Sequence, residues 1–158
     1  MFSKILIANR GEIGVRVIKT CKRMGVKTAI VYSEADADSL AVEMADEAVF
    51  IGGAPASESY LVQDKIIDAV RKTGAEAVHP GFGFLSENPV FARRLEEEKI
   101  TFIGPNPFAI ESMGDKITSK EFAAKAGVST VPGHMGLIEE TEEAVRISGE
   151  IGYPVMIK

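Results

Sequence analysis

Residues 4–32 read KILIANRGEIGVRVIKTCKRMGVKTAIVY, and this stretch decides the fold. Lys4 to Ala8 is a short run of branched apolar residues, which suits a buried strand. A turn containing Gly11 follows, and then Ile13, Val17, Cys21 and Met24 recur at helical spacing. Gly25 stands where a helix would stop, and Lys27 to Tyr32 is again rich in Ile, Val, Thr and Tyr. Strand, helix and strand joined by short turns form a βαβ unit, which brings the two strands side by side in parallel.

The same alternation continues. After an acidic loop at Glu34 to Asp38 and a short helix, Ala48 to Ile51 reads as a third strand closed by Gly52-Gly53. Tyr60 to Lys72 carries Val62, Ile66, Ala69 and Val70 on one helical face and ends at Gly74. Glu76 to His79 is a fourth strand. Asn88 and Pro89 suit the N-cap and first position of a helix running to about Glu98, and Ile100 to Ile103 gives a fifth strand. The expected fold class is α/β, a doubly wound parallel sheet over residues 1–112. Residues 113–158 differ in kind. Met113 to Gly127 reads as one helix, Pro132-Gly133 as a break, Thr141 to Ile151 as a helix and Tyr153 to Lys158 as a strand. These pieces are too few to close a core of their own.

Of the 158 residues 46% are hydrophobic, enough for one full domain core and the start of a second. No apolar run approaches the roughly 20 residues a membrane span needs. The start, Met1-Phe2-Ser3-Lys4, has neither a secretory core nor an Arg-rich amphipathic pattern, so a bacterial cytoplasmic location is expected, and a mitochondrial one only after removal of a transit peptide. A net charge of -5 with a pI near 5.2 leaves no basic surface for nucleic acid. The single Cys21 lies in an apolar helical stripe and reads as a packed core thiol. His134 has no partner at metal-ligand spacing, and the Glu96–Glu98 and Glu139–Glu143 clusters read as solvated helix faces, so no metal site is assigned.

Three segments carry candidate chemistry. Asn9 to Gly14 occupies the place of a dinucleotide-binding loop but offers only Gly11 and Gly14 and inserts Glu12, so the glycines read as a tight turn and a close helix contact. His79-Pro80-Gly81-Phe82-Gly83-Phe84-Leu85-Ser86-Glu87-Asn88 follows a strand and so lies at the carboxyl edge of the sheet, where open α/β sheets bind ligands. Its glycines allow backbone N–H groups to approach a ligand, and Phe82 or Phe84 can offer an aromatic face. The bland alternative buries both rings and gives His79 a backbone partner. Met113-Gly114-Asp115-Lys116 opens a helix, and Lys116 near its start faces the unfavourable end of the dipole, which suits either a solvated side chain or a specific anion. Lys158 ends the apolar run Val155-Met156-Ile157 and calls for an anionic partner such as phosphate.

Five strings, taken in order, resemble the biotin carboxylase family across the whole chain: Ile7 to Ile13, His79 to Asn88, Phe102-Ile103-Gly104-Pro105, Met113-Gly114-Asp115-Lys116 and Gly152 to Lys158. Within the family, Val128 to Gly133 and Tyr153 to Lys158 are most similar to the branch of propionyl-CoA carboxylase α subunits. The resemblance implies an α/β domain followed by the first elements of an ATP-grasp domain. It implies an ATP-dependent ligase that uses ATP, magnesium and bicarbonate, through carboxyphosphate, to carboxylate biotin on a biotin carboxyl carrier domain. A carboxyltransferase β subunit and an oligomeric assembly come with it.

Residue by residue, the resemblance gives Lys116 and Lys158 the part of ATP-contacting lysines. It puts Phe82 and Gly83 in the loop facing biotin, where Phe82 replaces the commoner Tyr and loses its hydroxyl, and it puts Glu87 in the same cleft. Arg16 and Lys19 fall where some members make a homodimer contact, the second being more often Arg. The family's mobile lid, magnesium ligands and bicarbonate-handling groups follow these motifs, so no residue is assigned as catalytic and the 158 residues alone are expected to be inactive. Two other readings remain open: a different ATP-grasp ligase, and a non-catalytic ligand-binding or scaffolding module.

Overall fold

Residues 1–129, 133–134 and 138–156 are described by a computed structural model of the chain, with Lys116 and Ile117 described by backbone alone. The chain divides into two compact units, Met1–Glu111 and Ser112–Lys158.

The first unit is built on a five-stranded sheet of β1 (Lys4–Ile7), β2 (Lys27–Ser33), β3 (Glu47–Gly52), β4 (Ala77–His79) and β5 (Thr101–Phe102). Its order is β3-β2-β1-β4-β5, and every pairing is parallel. β1 is central: Ile5, Leu6 and Ile7 stand opposite Thr28, Ala29 and Ile30 on one side and Ala77, Val78 and His79 on the other. The apolar run of β1 is continuous because both faces of the strand are covered. Ile5 and Ile7 enter a cluster with Val17, Ile18 and Cys21 of α1 (Gly11–Met24) and Ala41 of α2 (Leu40–Met44). Leu6 and Ala8 enter the opposite cluster with Ile66, Ile67 and Val70 of α3 (Gln63–Thr73) and Phe91 and Leu95 of α4 (Pro89–Glu97). The two-residue period of the strand thus divides one sequence run between two cores.

Local rules set the element ends. Gly25 and Gly74 cap α1 and α3 in the left-handed conformation, with φ of 71° and 66°. Asn88 caps α4, its side chain accepting from the Phe91 N–H, with Pro89 in the first position. Gly14 has no room for a side chain: a Cβ there would lie 2.8 Å from Ile30 Cδ1 and 3.2 Å from the Ala41 Cβ.

Three element readings need correction. The helix expected from Tyr60 begins at Gln63, because Tyr60 is drawn into the core with 1% exposure and its hydroxyl is bound elsewhere. The single helix expected over Met113 to Gly127 is two, α5 (Pro107–Gly114) and α6 (Lys116–Lys125). Asp115 separates them: its backbone is extended and its carboxylate accepts from the Thr118 N–H at 2.7 Å, which makes it the cap of α6. The strand expected at the end does not form over Tyr153–Met156, where the second unit offers α6 and α7 (Thr141–Ile151) and no strand to pair with among its described residues. Ile157, Lys158 and Pro132 of the expected break lie outside the described residues.

Candidate functional site

The chain runs β1 to β2 to β3 toward one edge of the sheet and then crosses back to β4 and β5 on the other side of β1. The carboxyl ends of β1 and β4 therefore flank the point where the strand order reverses, the place where open α/β sheets form a ligand crevice. Two segments leave the sheet there, the turn Asn9-Arg10-Gly11 and the loop Pro80 to Glu87.

The β4 loop is tightly wound. Gly81 and Gly83 both have φ of 69°, and Phe84, without the freedom of glycine, has φ of 47°. The Gly81 N–H donates to His79 Nδ1 at 3.0 Å, and the Ser86 N–H to the Gly83 carbonyl at 2.9 Å. Leu85 is buried and anchors the far side. The two Phe side chains part company. Phe84 stacks on Tyr60, with centroids 4.8 Å apart and planes 7° from parallel. Phe82 is 78% exposed and stands free at the tip with exposed Gly83, followed by exposed Glu87. The aromatic face available to a ligand is Phe82. His79 finds the backbone partner of the bland reading, and burial, then the Arg16 charge, hold its imidazole below the ordinary histidine value.

The β1 turn supports this loop, a role the sequence reading did not assign. Asn9, 3% exposed, donates through Nδ2 to the carbonyls of Pro80 and Phe82, both at 2.8 Å, and accepts the Arg10 N–H on Oδ1. Arg10 reaches over the Tyr60 and Phe84 rings, 5.5 Å from each centroid, and to Asp36 at 3.4 Å. Asp36 also accepts from Ser33 Oγ at 2.6 Å and Tyr60 Oη at 2.7 Å. Burial pushes the Asp36 carboxyl up, but the hydrogen bonds from Ser33, Tyr60 and Arg10, with the Arg10 charge, leave it below the usual carboxylate range. Burial, then the bond to Asp36, pushes the Tyr60 phenol up to about 12. The signal in the sequence was a polar Asn directly after the apolar run Ile5 to Ala8, since a buried amide must find partners.

The remaining candidates fall elsewhere. Arg16 and Lys19 are exposed, one turn apart on the outer face of α1. Lys116 is the first residue of α6 in the second unit, and Lys158 lies outside the described residues. Cys21 is a buried thiol raised by desolvation and then by the Asp46 charge, as a core residue should be. Among the described residues no group of three or more His, Cys, Asp and Glu could hold a metal ion, and no helix is long and apolar enough to cross a membrane.

Residues 1–110 match the model of the biotin carboxylase N-terminal domain. The chain belongs to the biotin carboxylase family. Residues 115–158 match the ATP binding domain of the carbamoyl-phosphate synthase L chain. The propionyl-CoA carboxylase alpha chain of Ruegeria pomeroyi is 65% identical over 158 residues, all of this chain and 23% of that one. This biotin carboxylase chain thus spans about a quarter of the length of that relative. Among solved structures, the biotin carboxylase of Campylobacter jejuni in a βγ-ATP complex superposes with a TM-score of 0.92 at 45% identity, over 98% of this chain and 34% of that one. The biotin carboxylase domain dimer of Hydrogenobacter thermophilus 2-oxoglutarate carboxylase, with MgADP, ADP and bicarbonate, gives 0.89 at 52% identity, over 98% and 34%. The biotin carboxylase match over the first unit decides against the reading as a different ATP-grasp ligase, and the expected doubly wound α/β class is borne out.

Proposed function

We propose that these 158 residues are the N-terminal portion of the biotin carboxylase component of an acyl-CoA carboxylase of the propionyl-CoA type, working in the bacterial cytoplasm. The whole enzyme uses ATP, magnesium and bicarbonate to carboxylate biotin on a carrier domain, which delivers the carboxyl group to a carboxyltransferase β subunit. The observation that carries this reading is the family match over residues 1–110, which contains both segments at the sheet's switch point.

The two units take different parts. In the first, the exposed Phe82 and Gly83 present a flat apolar surface and an unhindered backbone to the biotin ring system, with Glu87 beside them in sequence. In the second, residues 113–158 begin the ATP-grasp domain, and Lys116 and Lys158 act as cationic clamps on ATP phosphates. Phosphoryl transfer draws on positioning and charge neutralisation, so lysines suit the task without covalent chemistry. Magnesium, when bound with the nucleotide, would neutralise further phosphate charge. The described residues offer it no cluster of three or more His, Cys, Asp and Glu. Arg16 and Lys19, projecting from α1, make a contact between subunits of an oligomer.

Steady-state kinetics of the full-length enzyme test the assignment. Lys116→Ala and Lys158→Ala should each lower kcat/KM for ATP by about tenfold or more, the scale of one lost charge-assisted contact, with KM for free biotin little changed. Unchanged ATP kinetics in both variants would remove the lysines from the site. Absence of bicarbonate-dependent ATP cleavage in the unmodified enzyme would favour the scaffolding alternative.

A further inference from the structure

Asn9 is a buried polar residue in the turn that follows the central strand, and its amide is almost fully committed. A primary amide has two N–H donors and a carbonyl acceptor. Both donors go to the β4 loop, to Pro80 O and Phe82 O at 2.8 Å, and the acceptor takes the Arg10 N–H at 2.9 Å. The carbonyls it holds bracket Gly81, and the contact is close: a Cβ on Gly81 would fall 2.6 to 2.8 Å from the Asn9 side chain. The nearest alternatives each lose part of this arrangement. Aspartate keeps the shape but has no donor and would set a carboxylate against two carbonyl oxygens. Serine supplies one donor, and glutamine is a methylene too long for a site with 3% exposure.

The consequence falls on Phe82. Phe82 is 78% exposed, so little packing holds its ring and its direction depends on the backbone. That backbone is pinned on one side by Asn9 and on the other by Phe84 against Tyr60. We infer that Asn9 is a positioning residue for biotin: by clamping the carbonyls on either side of Gly81 it fixes Phe82 and Gly83 at the switch point of the sheet. The inference rests on the reading of Phe82 and Gly83 as the biotin-facing surface.

The test uses the full-length enzyme with free biotin as the probe, comparing Asn9→Asp, Asn9→Ser and Phe82→Ala. Loss of one or two buried hydrogen bonds should raise KM for biotin about tenfold or more in Asn9→Asp, and less in Asn9→Ser, while KM for ATP stays within about twofold. Amide hydrogen exchange over Gly81 to Leu85 should quicken in step. Asn9→Ser retains one donor and introduces no charge, so it serves if Asn9→Asp fails to fold. A tenfold rise in Phe82→Ala with no biotin effect in either Asn9 variant would overturn the positioning role. So would equal rises in both Michaelis constants, the mark of a general structural defect. If Phe82→Ala also leaves biotin kinetics unchanged, the loop does not face biotin and the inference falls with that reading.

Discussion

The Phe84 ring lies flat against the Tyr60 ring, 4.8 Å between centroids, while the Tyr60 hydroxyl donates to Asp36 and accepts from the Ser33 N–H. Tyr60 thereby couples the β4 loop to the end of β2 through its face and its edge separately. Replacing it with Phe keeps the stack and deletes the edge. The Ser33 N–H, on a residue with no exposure, then loses its acceptor, and Asp36 loses one of its donors. Tyr60→Phe should destabilise the first unit by about 1–3 kcal/mol, read as a lower urea midpoint by far-ultraviolet circular dichroism, with exchange at the Ser33 amide among the most accelerated.

How far the sequence could lead is seen along this same network. The sheet was legible because β1 and β2 are continuous apolar runs and Gly25, Gly74 and Asn88-Pro89 are strong stop and start signals. The loop after β4 was legible as a candidate by its place at the strand end. Its supports were not. Tyr60 sits in an apolar stretch that reads as helix, and only the tertiary fold shows its hydroxyl meeting Asp36, 24 residues away. The Asn9 contacts span 71 and 73 residues, beyond any local pattern. The break at Asp115 was masked because Asp and Lys interrupt no helical period, and the cap is visible only as the bond to Thr118.

Packing at Gly14 can be separated from helix propensity. Alanine there gains up to about 1 kcal/mol of intrinsic helix preference, but its Cβ would meet Ile30 Cδ1 at 2.8 Å, and Ile30 is 1% exposed. Overpacking of a buried contact costs about 1–3 kcal/mol, so Gly14→Ala should be destabilising on balance. Ile30→Val removes the opposing methyl. In a double-mutant cycle by urea unfolding, the two changes should show a favourable coupling of about 0.5 kcal/mol or more.

His79 makes stability depend on pH. Burial, then Arg16, lowers its folded value, whereas the unfolded chain titrates near 6.5. Below about pH 6.5 the unfolded chain takes up a proton that the folded chain refuses, so stability falls with pH until the depressed folded value is passed. Protonation at Nδ1 also removes the acceptor for the Gly81 N–H. His79→Asn can retain that acceptor without a titrating ring. Urea midpoints at pH 7.5 and 5.5 should differ more for the wild-type chain than for the variant, and identical differences would exclude His79 as the source.

Lys116 sets helix stability against the proposed contact with ATP. It occupies the first position of α6, next to the Asp115 cap, where the helix dipole disfavours a cation. Lys116→Glu should therefore stabilise α6 by about 0.3–1 kcal/mol, seen as slower amide exchange across Thr118 to Phe122. Asp115→Ala, which removes the bond to the Thr118 N–H, should cost about 1 kcal/mol and quicken the same amides. In the full-length enzyme the order should reverse for ATP: Lys116→Glu, with the firmer helix, should suffer the larger rise in KM. If KM instead follows helix stability, Lys116 serves as the start of a helix and the phosphate contact must be made by another cation.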